Sequence, residues 1–284
     1  MTCRVAIAQL DVRVGDLKHN VYHHLEFIRR ARKEKANLIL FPELSLTGYS
    51  LRDLAWEVAI DPLQSPALNE IIRESGDITI VLGLVENGRD HGIYNSALVL
   101  EDGKVIHVHR KIYPPTYGMF EEGRYYNKGN AIRAFDSRFG RFGVLICEDS
   151  WHPGIPYVLA SDGAQTLLAL SASPTRLTSN AEQVANADKN HEHHRAYARL
   201  LSVYYVFCNR VGFEDGVNFW GGSSVTDPGG LTQIMAKYFD EDLIIADLNE
   251  ESVRRARRFS RHVMDDDASL VQRELERILK HPSI

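Results

Sequence analysis

The chain has 284 residues, 44% hydrophobic and 25% charged, which fits one large domain or two modest ones and excludes global disorder. Thirty-three Lys and Arg against 38 Asp and Glu leave a net charge of −5, which excludes a nucleic-acid binder that works by bulk positive charge. Three cysteines without a CxxC pair exclude a disulfide framework or thiolate metal site, and no run is apolar enough for a membrane span or a signal-peptide core, so a cytoplasmic protein is expected.

Short apolar runs alternate with amphipathic segments along the chain. A strand is expected at Val5–Gln9, then a helix at Asn20–Lys35, where Val21, Leu25, Ile28 and Ala31 recur at helical spacing. A strand at Leu38–Phe41 and a helix at Pro66–Ser75 follow. Strands are then expected at Ile78–Val85, Asn95–Leu100, Lys104–Val108 and Phe142–Cys147, several of them continuous Val, Ile, Leu and Phe as in strands covered on both faces. Next come a helix at Ile155–Ser161, a strand at Thr166–Ser171 and a helix at Ala181–Leu201. Strands at Tyr204–Asn209, Ser223–Thr226 and Leu243–Asp247 precede helices at Glu251–Phe259 and Ala268–Leu279.

Hairpin signals stand at Asp102-Gly103 and at Pro228-Gly229-Gly230. Hairpins mixed with crossovers imply an α/β fold with mixed sheets and helices outside. With no linker or repeat, the expectation is a single domain over 1–284, of which 249–284 forms a helical tail.

Three segments place a reactive polar residue at the end of an apolar run. Glu43 follows Leu38–Phe41 and Pro42, on stiff backbone where burial can raise its proton affinity; the alternative is a loop glutamate capping nearby backbone. Lys111 closes the run ending Val108-His109-Arg110, where a solvated edge lysine is the ordinary alternative. Cys147 ends Phe142–Ile146 and is followed by Glu148-Asp149-Ser150-Trp151. A strand-to-turn cysteine exposes its sulfur and aims the next backbone N–H groups at an oxyanion, whereas a buried free cysteine packs as a small hydrophobe.

Together these segments resemble the Glu–Lys–Cys signature of the nitrilase, or carbon–nitrogen hydrolase, superfamily. The neighbouring residues match too: Phe41-Pro42-Glu43-Leu44 with Thr47-Gly48-Tyr49, Arg110-Lys111, and Cys147-Glu148-Asp149 with Trp151. A second glutamate of the family stands four residues before an aromatic and seven before a glycine. Glu122 fits both, ahead of Tyr126 and Gly129. The resemblance covers roughly Arg4 to Leu248. Within the superfamily the wording is similar to the glutaminase portion of glutamine-dependent NAD synthetases. The sequence holds no SGGxDS-like pyrophosphate loop, so the expectation is that it does not make NAD by itself.

The resemblance implies a four-layer α-β-β-α sandwich, usually paired into dimers or larger homo-oligomers. It implies Glu43, Lys111, Cys147 and Glu122 as catalytic residues, hydrolysing a non-peptide C–N bond through a cysteine thioester. Tyr117, Phe120, Glu148, Trp151 and Ser173 are the implied substrate-binding residues, with Arg176 and Lys189 as candidates for a positive rim. No metal or organic cofactor is implied. The substrate is a small-molecule amide or nitrile, and no nucleic acid or membrane takes part. Nitrilases proper often show Cys-Trp-Glu where this chain has Cys147-Glu148-Asp149, which favours an amidase. The further alternative is a glutaminase subunit feeding ammonia to a synthetase partner.

Two distractions remain. His191, His193 and His194 invite a metal reading, but their spacing departs from the i, i+4 pairs that share an ion on a helix. They are expected on a polar or interface helix face. The arginines of 254–261 sit beside Asp265-Asp266-Asp267, as in a solvated helix or subunit contact. Cys3 and Cys208 are expected in the core.

Overall fold

The computed structural model describes residues 2–175 and 185–280. In chain order its strands are β1 (Thr2–Gln9), β2 (Leu38–Leu40), β3 (Thr79–Asn87), β4 (Ile93–Glu101), β5 (Lys104–Arg110), β6 (Phe135–Ser137), β7 (Gly140–Ile146), β8 (Thr166–Ser171), β9 (Tyr204–Asn209), β10 (Val211–Glu214), β11 (Val217–Trp220), β12 (Ser224–Thr226), β13 (Thr232–Met235) and β14 (Asp242–Asn249). The helices are α1 (Leu17–Lys33), α2 (Ala55–Val58), α3 (Pro66–Arg73), α4 (Glu122–Tyr125), α5 (Gly154–Ser161), α6 (Ala185–Leu201), α7 (Glu250–Phe259), α8 (His262–Asp265) and α9 (Ala268–Lys280).

Two six-stranded mixed sheets form, ordered β14-β1-β2-β3-β4-β5 and β13-β12-β9-β8-β7-β6. In each, a central parallel trio (β1-β2-β3, β7-β8-β9) is flanked by antiparallel strands. The alternation of side chains along each strand decides the layers. Val5, Ile7, Leu38, Leu40 and Val81 point from the first sheet onto Val144, Ile146, Leu168, Leu170 and Val206 of the second. The intervening residues Ala6, Ile39, Ile80 and Leu82 meet Phe27 and Ile28 of α1 and Leu68 and Ile71 of α3. On the far side, Leu145, Leu167, Tyr205 and Phe207 meet Ile155 and Leu159 of α5 and Ala198 of α6. The result is the four-layer α-β-β-α sandwich. Central strands carry apolar residues on both faces because both faces are covered.

All ten expected strands are present, with ends shifted by a few residues. The run Phe142–Cys147 stops as a strand at Ile146, because Cys147 turns to φ +43° and opens a 3₁₀ turn over Cys147–Trp151. The hairpin β10–β11 was not expected, although its two-residue loop Asp215-Gly216 repeats the positive-φ chemistry of Asp102-Gly103 between β4 and β5. The first four residues of the expected helix Ala181–Leu201 lie outside the described residues.

His191 and His194 correct a second expectation, since they do not face outward. Both are buried: the His194 ring stacks on Tyr205 at 4.5 Å, and the His191 ring meets Trp220 edge-on at 5.6 Å. Burial pushes His191 down to about 4 and His194 well below the usual histidine range, so both are neutral rings of an aromatic layer. No cluster of three or more His, Cys, Asp or Glu suited to a metal ion occurs among the described residues. Cys3 and Cys208 lie in β1 and β9, buried as expected.

Candidate active site

Four separate segments converge beyond the ends of β2, β5, β7 and β8. β2 stops before Pro42, but Phe41 N–H still donates to Val81 O at 2.8 Å, so the chain leaves the sheet in a fixed direction. Leu44 adopts φ +49°, and Leu46 N–H returns to Gly83 O at 3.0 Å. A Cβ on Gly83 would stand 2.4 Å from Leu44 N and 2.9 Å from Glu43 C. Only glycine on β3 lets the glutamate loop lie this close. Glu43 is 1% exposed.

At the end of β5, alternation sends Arg110 outward to Glu86 (2.7 Å) and over the Tyr94 ring, and sends Lys111 inward. Lys111 N–H donates to Asn95 O, and Lys111 O accepts from Gly129 N–H, each at 2.8 Å. Glu122 begins the single-turn helix α4, tied back by its N–H to Pro115 O at 2.9 Å.

The buried Lys111 ammonium bridges two carboxylates, donating to Glu43 Oε1 and to Glu122 Oε1 at 2.7 Å each. Tyr49 O–H donates to Glu122 Oε1 at 2.6 Å, and Ala172 N–H, just past β8, donates to Glu43 Oε2 at 2.8 Å. The amide of Asn95 on β4 donates to both acids, at 2.7 Å to Glu43 Oε1 and 3.3 Å to Glu122 Oε2. Burial opposes the Lys111 charge, but Glu122 and Glu43 outweigh it and hold its proton well above the ordinary lysine value. Burial raises the Glu122 carboxyl to about 7; Lys111 pulls it down and Glu43 pushes it up. Two carboxylates sharing one cation carry an excess negative charge, which disfavours an ionised Glu122 beside Glu43.

Cys147 sits half-buried on its positive-φ turn, packed against the layer between the sheets. Burial and then the Glu43 charge push its thiol well up, against the opposing pull of Lys111 and of a hydrogen bond with Ser171. A sulfur so placed keeps its proton unless a base takes it.

Asp149, two residues on, fixes this turn to the lysine loop. It is fully buried and accepts from Ile112 N–H at 3.0 Å, Tyr113 N–H at 3.2 Å and Ile146 N–H at 3.1 Å; His109 Nε2 lies 2.9 Å from its second oxygen. The backbone after Lys111 and the backbone before Cys147 thus hang on one carboxylate.

The expected substrate-binding residues divide. Glu148 is largely buried beside Cys147, and Tyr117 O–H donates to it at 2.9 Å; Phe120 meets the Tyr117 ring edge-on at 5.6 Å. Ser173 is buried, and its hydroxyl accepts from Trp220 Nε1 at 3.0 Å and Asn186 Nδ2 at 3.2 Å. Trp151 is 38% exposed, its ring set edge-on to His193 of α6 at 4.5 Å, on the outward side of the turn. Lys189 is exposed on α6, and Arg176 lies outside the described residues. A cleft lined by Tyr49, Ser50, Met119, Glu121 and Tyr126 opens onto Glu122.

Sequence reasoning missed Asn95, Tyr49, His109 and the role of Asp149. The usable signal was an asparagine in the strand-like run Ile93–Leu100, where a buried amide demands partners. Of the Asp149 contacts only the one to Ile146 N–H, three residues back, is local; those to Ile112, Tyr113 and His109 are not.

Residues 4–258 match the carbon-nitrogen hydrolase family. The glutamine-dependent NAD(+) synthetase of Acinetobacter baylyi is 32% identical over 251 residues, covering 88% of this chain and 45% of the relative. The chain thus spans less than half the length of that curated relative. The structure of glutamine-dependent NAD+ synthetase from Acinetobacter baumannii superposes with a TM-score of 0.79 at 32% identity, over 89% of this chain and 47% of that one. The amidase from Nesterenkonia sp. AN1 shares the fold at a TM-score of 0.80 and 21% identity, over 95% and 96% of the two chains. With the family match running from the first strand into α7, the chain belongs to the carbon-nitrogen hydrolase family.

Proposed function

We propose that the protein is an amidase that releases ammonia from a small carboxamide through a thioester on Cys147. The observation that carries this reading is the buried Lys111 ammonium held at 2.7 Å by both Glu43 and Glu122, with a thiol on the adjoining turn. Glu43 takes the thiol proton as sulfur attacks the carbonyl carbon. The carbonyl oxygen becomes an oxyanion facing the Lys111 ammonium and the Glu148 N–H, an effect worth about 3 kcal/mol per good donor. Collapse breaks the C–N bond, and protonated Glu43 delivers its proton to the departing nitrogen. Glu43 then deprotonates water, which attacks the thioester and frees the carboxylic acid as the thiol recovers its proton. Glu122 anchors Lys111 and orients the amide and the water. None of these steps draws on a metal or an organic cofactor.

Tyr117, Phe120, Glu148 and Ser173 form the substrate pocket in this reading, and Trp151, turned outward against His193, stays outside it. The Glu148 carboxylate beside the nucleophile favours a substrate that carries a cationic or N–H donor group. A second reading is a glutaminase that supplies ammonia to a synthetase partner, supported by the 32% identity to relatives named glutamine-dependent NAD(+) synthetase. A nitrilase acting on R–C≡N is the third outcome to be tested. Exposed apolar side chains on the α5 and α6 face (Val158, Leu200) and on α9 (Leu275, Leu279) support a homodimer or larger homo-oligomer. A cytoplasmic location is supported by three free thiols; no helix among the described residues is long and apolar enough to cross a membrane.

The test is ammonia release over a panel of glutamine, asparagine, short aliphatic amides, omega-amides of keto acids and simple nitriles, with Cys147→Ala as blank. Release from one amide class supports the amidase and names its pocket, and release from nitriles alone overturns it. Silence with rapid alkylation of Cys147 by iodoacetamide favours the partner-dependent glutaminase.

A further inference from the structure

Asn95 lies on β4 opposite Val85 of β3 and is 1% exposed. Its Nδ2 donates to Glu43 Oε1 at 2.7 Å and Glu122 Oε2 at 3.3 Å, while its Oδ1 is buried with no hydrogen-bond partner in the described structure. The amide cannot be turned over, because its oxygen would then face two carboxylate oxygens. Leaving an acceptor unpaired in the interior is unfavourable, so what its nitrogen does has to explain the side chain. Asn95 and Lys111 close a ring in which two donors alternate with two acids. Only Lys111 brings charge; Asn95 draws the carboxylates together without adding any.

We propose that Asn95 is a positioning residue that sets the protonation of the Glu43–Glu122 pair, keeping Glu43 ionised and able to take the Cys147 proton. The proposal rests on the reading of Glu43 as the base. A donor to an ionised carboxylate lowers its proton affinity, so removing Asn95 makes the pair hold its shared proton to higher pH. The other groups facing the pair are Lys111, Cys147, Tyr49 and Tyr126. Of these Lys111 favours the ionised form through charge; Tyr49 O–H and Ala172 N–H each donate to one acid, whereas Asn95 is the neutral donor that reaches both.

The experiment compares wild type, Asn95→Leu and Asn95→Asp from pH 5 to 9. It follows ammonia release and, separately, iodoacetamide alkylation of Cys147 by peptide mass, with thermal unfolding as the check on folding. In Asn95→Leu the acid limb of both profiles moves up by about one pH unit and the rate at pH 7 falls about fivefold. In Asn95→Asp, where a third carboxylate replaces the donor, the limb moves further in the same direction. A folded Asn95→Leu whose lower rates keep the wild-type pH profile overturns the proposal, since a merely structural role changes amplitude and not midpoint. If Asn95→Leu does not fold, Asn95→Ala, which removes the donor without adding a charge, decides by the same criterion. Failure of the amidase reading is separate: ammonia release is then absent from wild type, while the alkylation profile still reports on Asn95.

Discussion

Replacing Asp149 by asparagine preserves shape while removing one acceptor and the charge. The carboxylate now takes two backbone N–H groups on one oxygen, and a third backbone N–H together with His109 Nε2 on the other. In the variant the amide oxygen keeps Ile112 and Tyr113, and the new NH₂ faces Ile146 N–H and His109. His109 can change tautomer and accept; Ile146 N–H cannot. At least one buried donor is left against another donor, costing about 1–3 kcal/mol, and the two surviving bonds lose their charge assistance at roughly 1 kcal/mol between them. The expected loss is about 3 kcal/mol by urea denaturation, against a total stability of about 5–15 kcal/mol. Ammonia release should fall at least a hundredfold at saturating amide, because the Lys111 and Cys147 backbones lose their common anchor. Folded protein with stability within about 0.5 kcal/mol of wild type and kcat within threefold would refute the clamp.

Three further expectations stand on the same geometry. Cys147→Ala should release no ammonia above blank yet unfold within about 1 kcal/mol of wild type, since its half-buried side chain leaves the inter-sheet layer filled; turnover in that variant ends the thioester mechanism. Glu122→Gln removes the carboxylate beside Glu43, so the acid limb of kcat/KM should move down in pH, opposite to Asn95→Leu; an unmoved limb means the two acids do not share a proton. Because Glu122 is raised from 4.5 to about 7 in the fold, it makes the protein less stable as pH rises through that window, and the variant's urea midpoint should lack that decline. Gly83→Ala should cost about 2 kcal/mol and at least tenfold in activity, as its Cβ collides with the loop that aims Glu43; wild-type kinetics would show that the loop has room to yield.

The sequence by itself determined ten of the strands, the main helices and the residues at their ends, and left out β6, β10, β11 and β13. A strand covered on both faces must be apolar throughout, so Leu38–Leu40, Gly140–Ile146 and Thr166–Ser171 are legible as runs, and Glu43, Lys111 and Cys147 stand out where the runs break. Its limits were physical. Alternation says which residues share a face but not which other sheet that face meets, so β1 to β4 against β7 to β9 is a tertiary fact. His191 and His194 look polar in one dimension and are core in three, because aromatic rings from β9 and β11 cover them. Tertiary structure alone brought Asn95, Tyr49 and Asp149 to the site. Apart from Ile146, three residues before Asp149, their partners lie on other strands and loops, at sequence separations where no local pattern records a hydrogen bond, and the charge that Asn95 and Tyr49 face exists only once Glu43, Lys111 and Glu122 have been buried together.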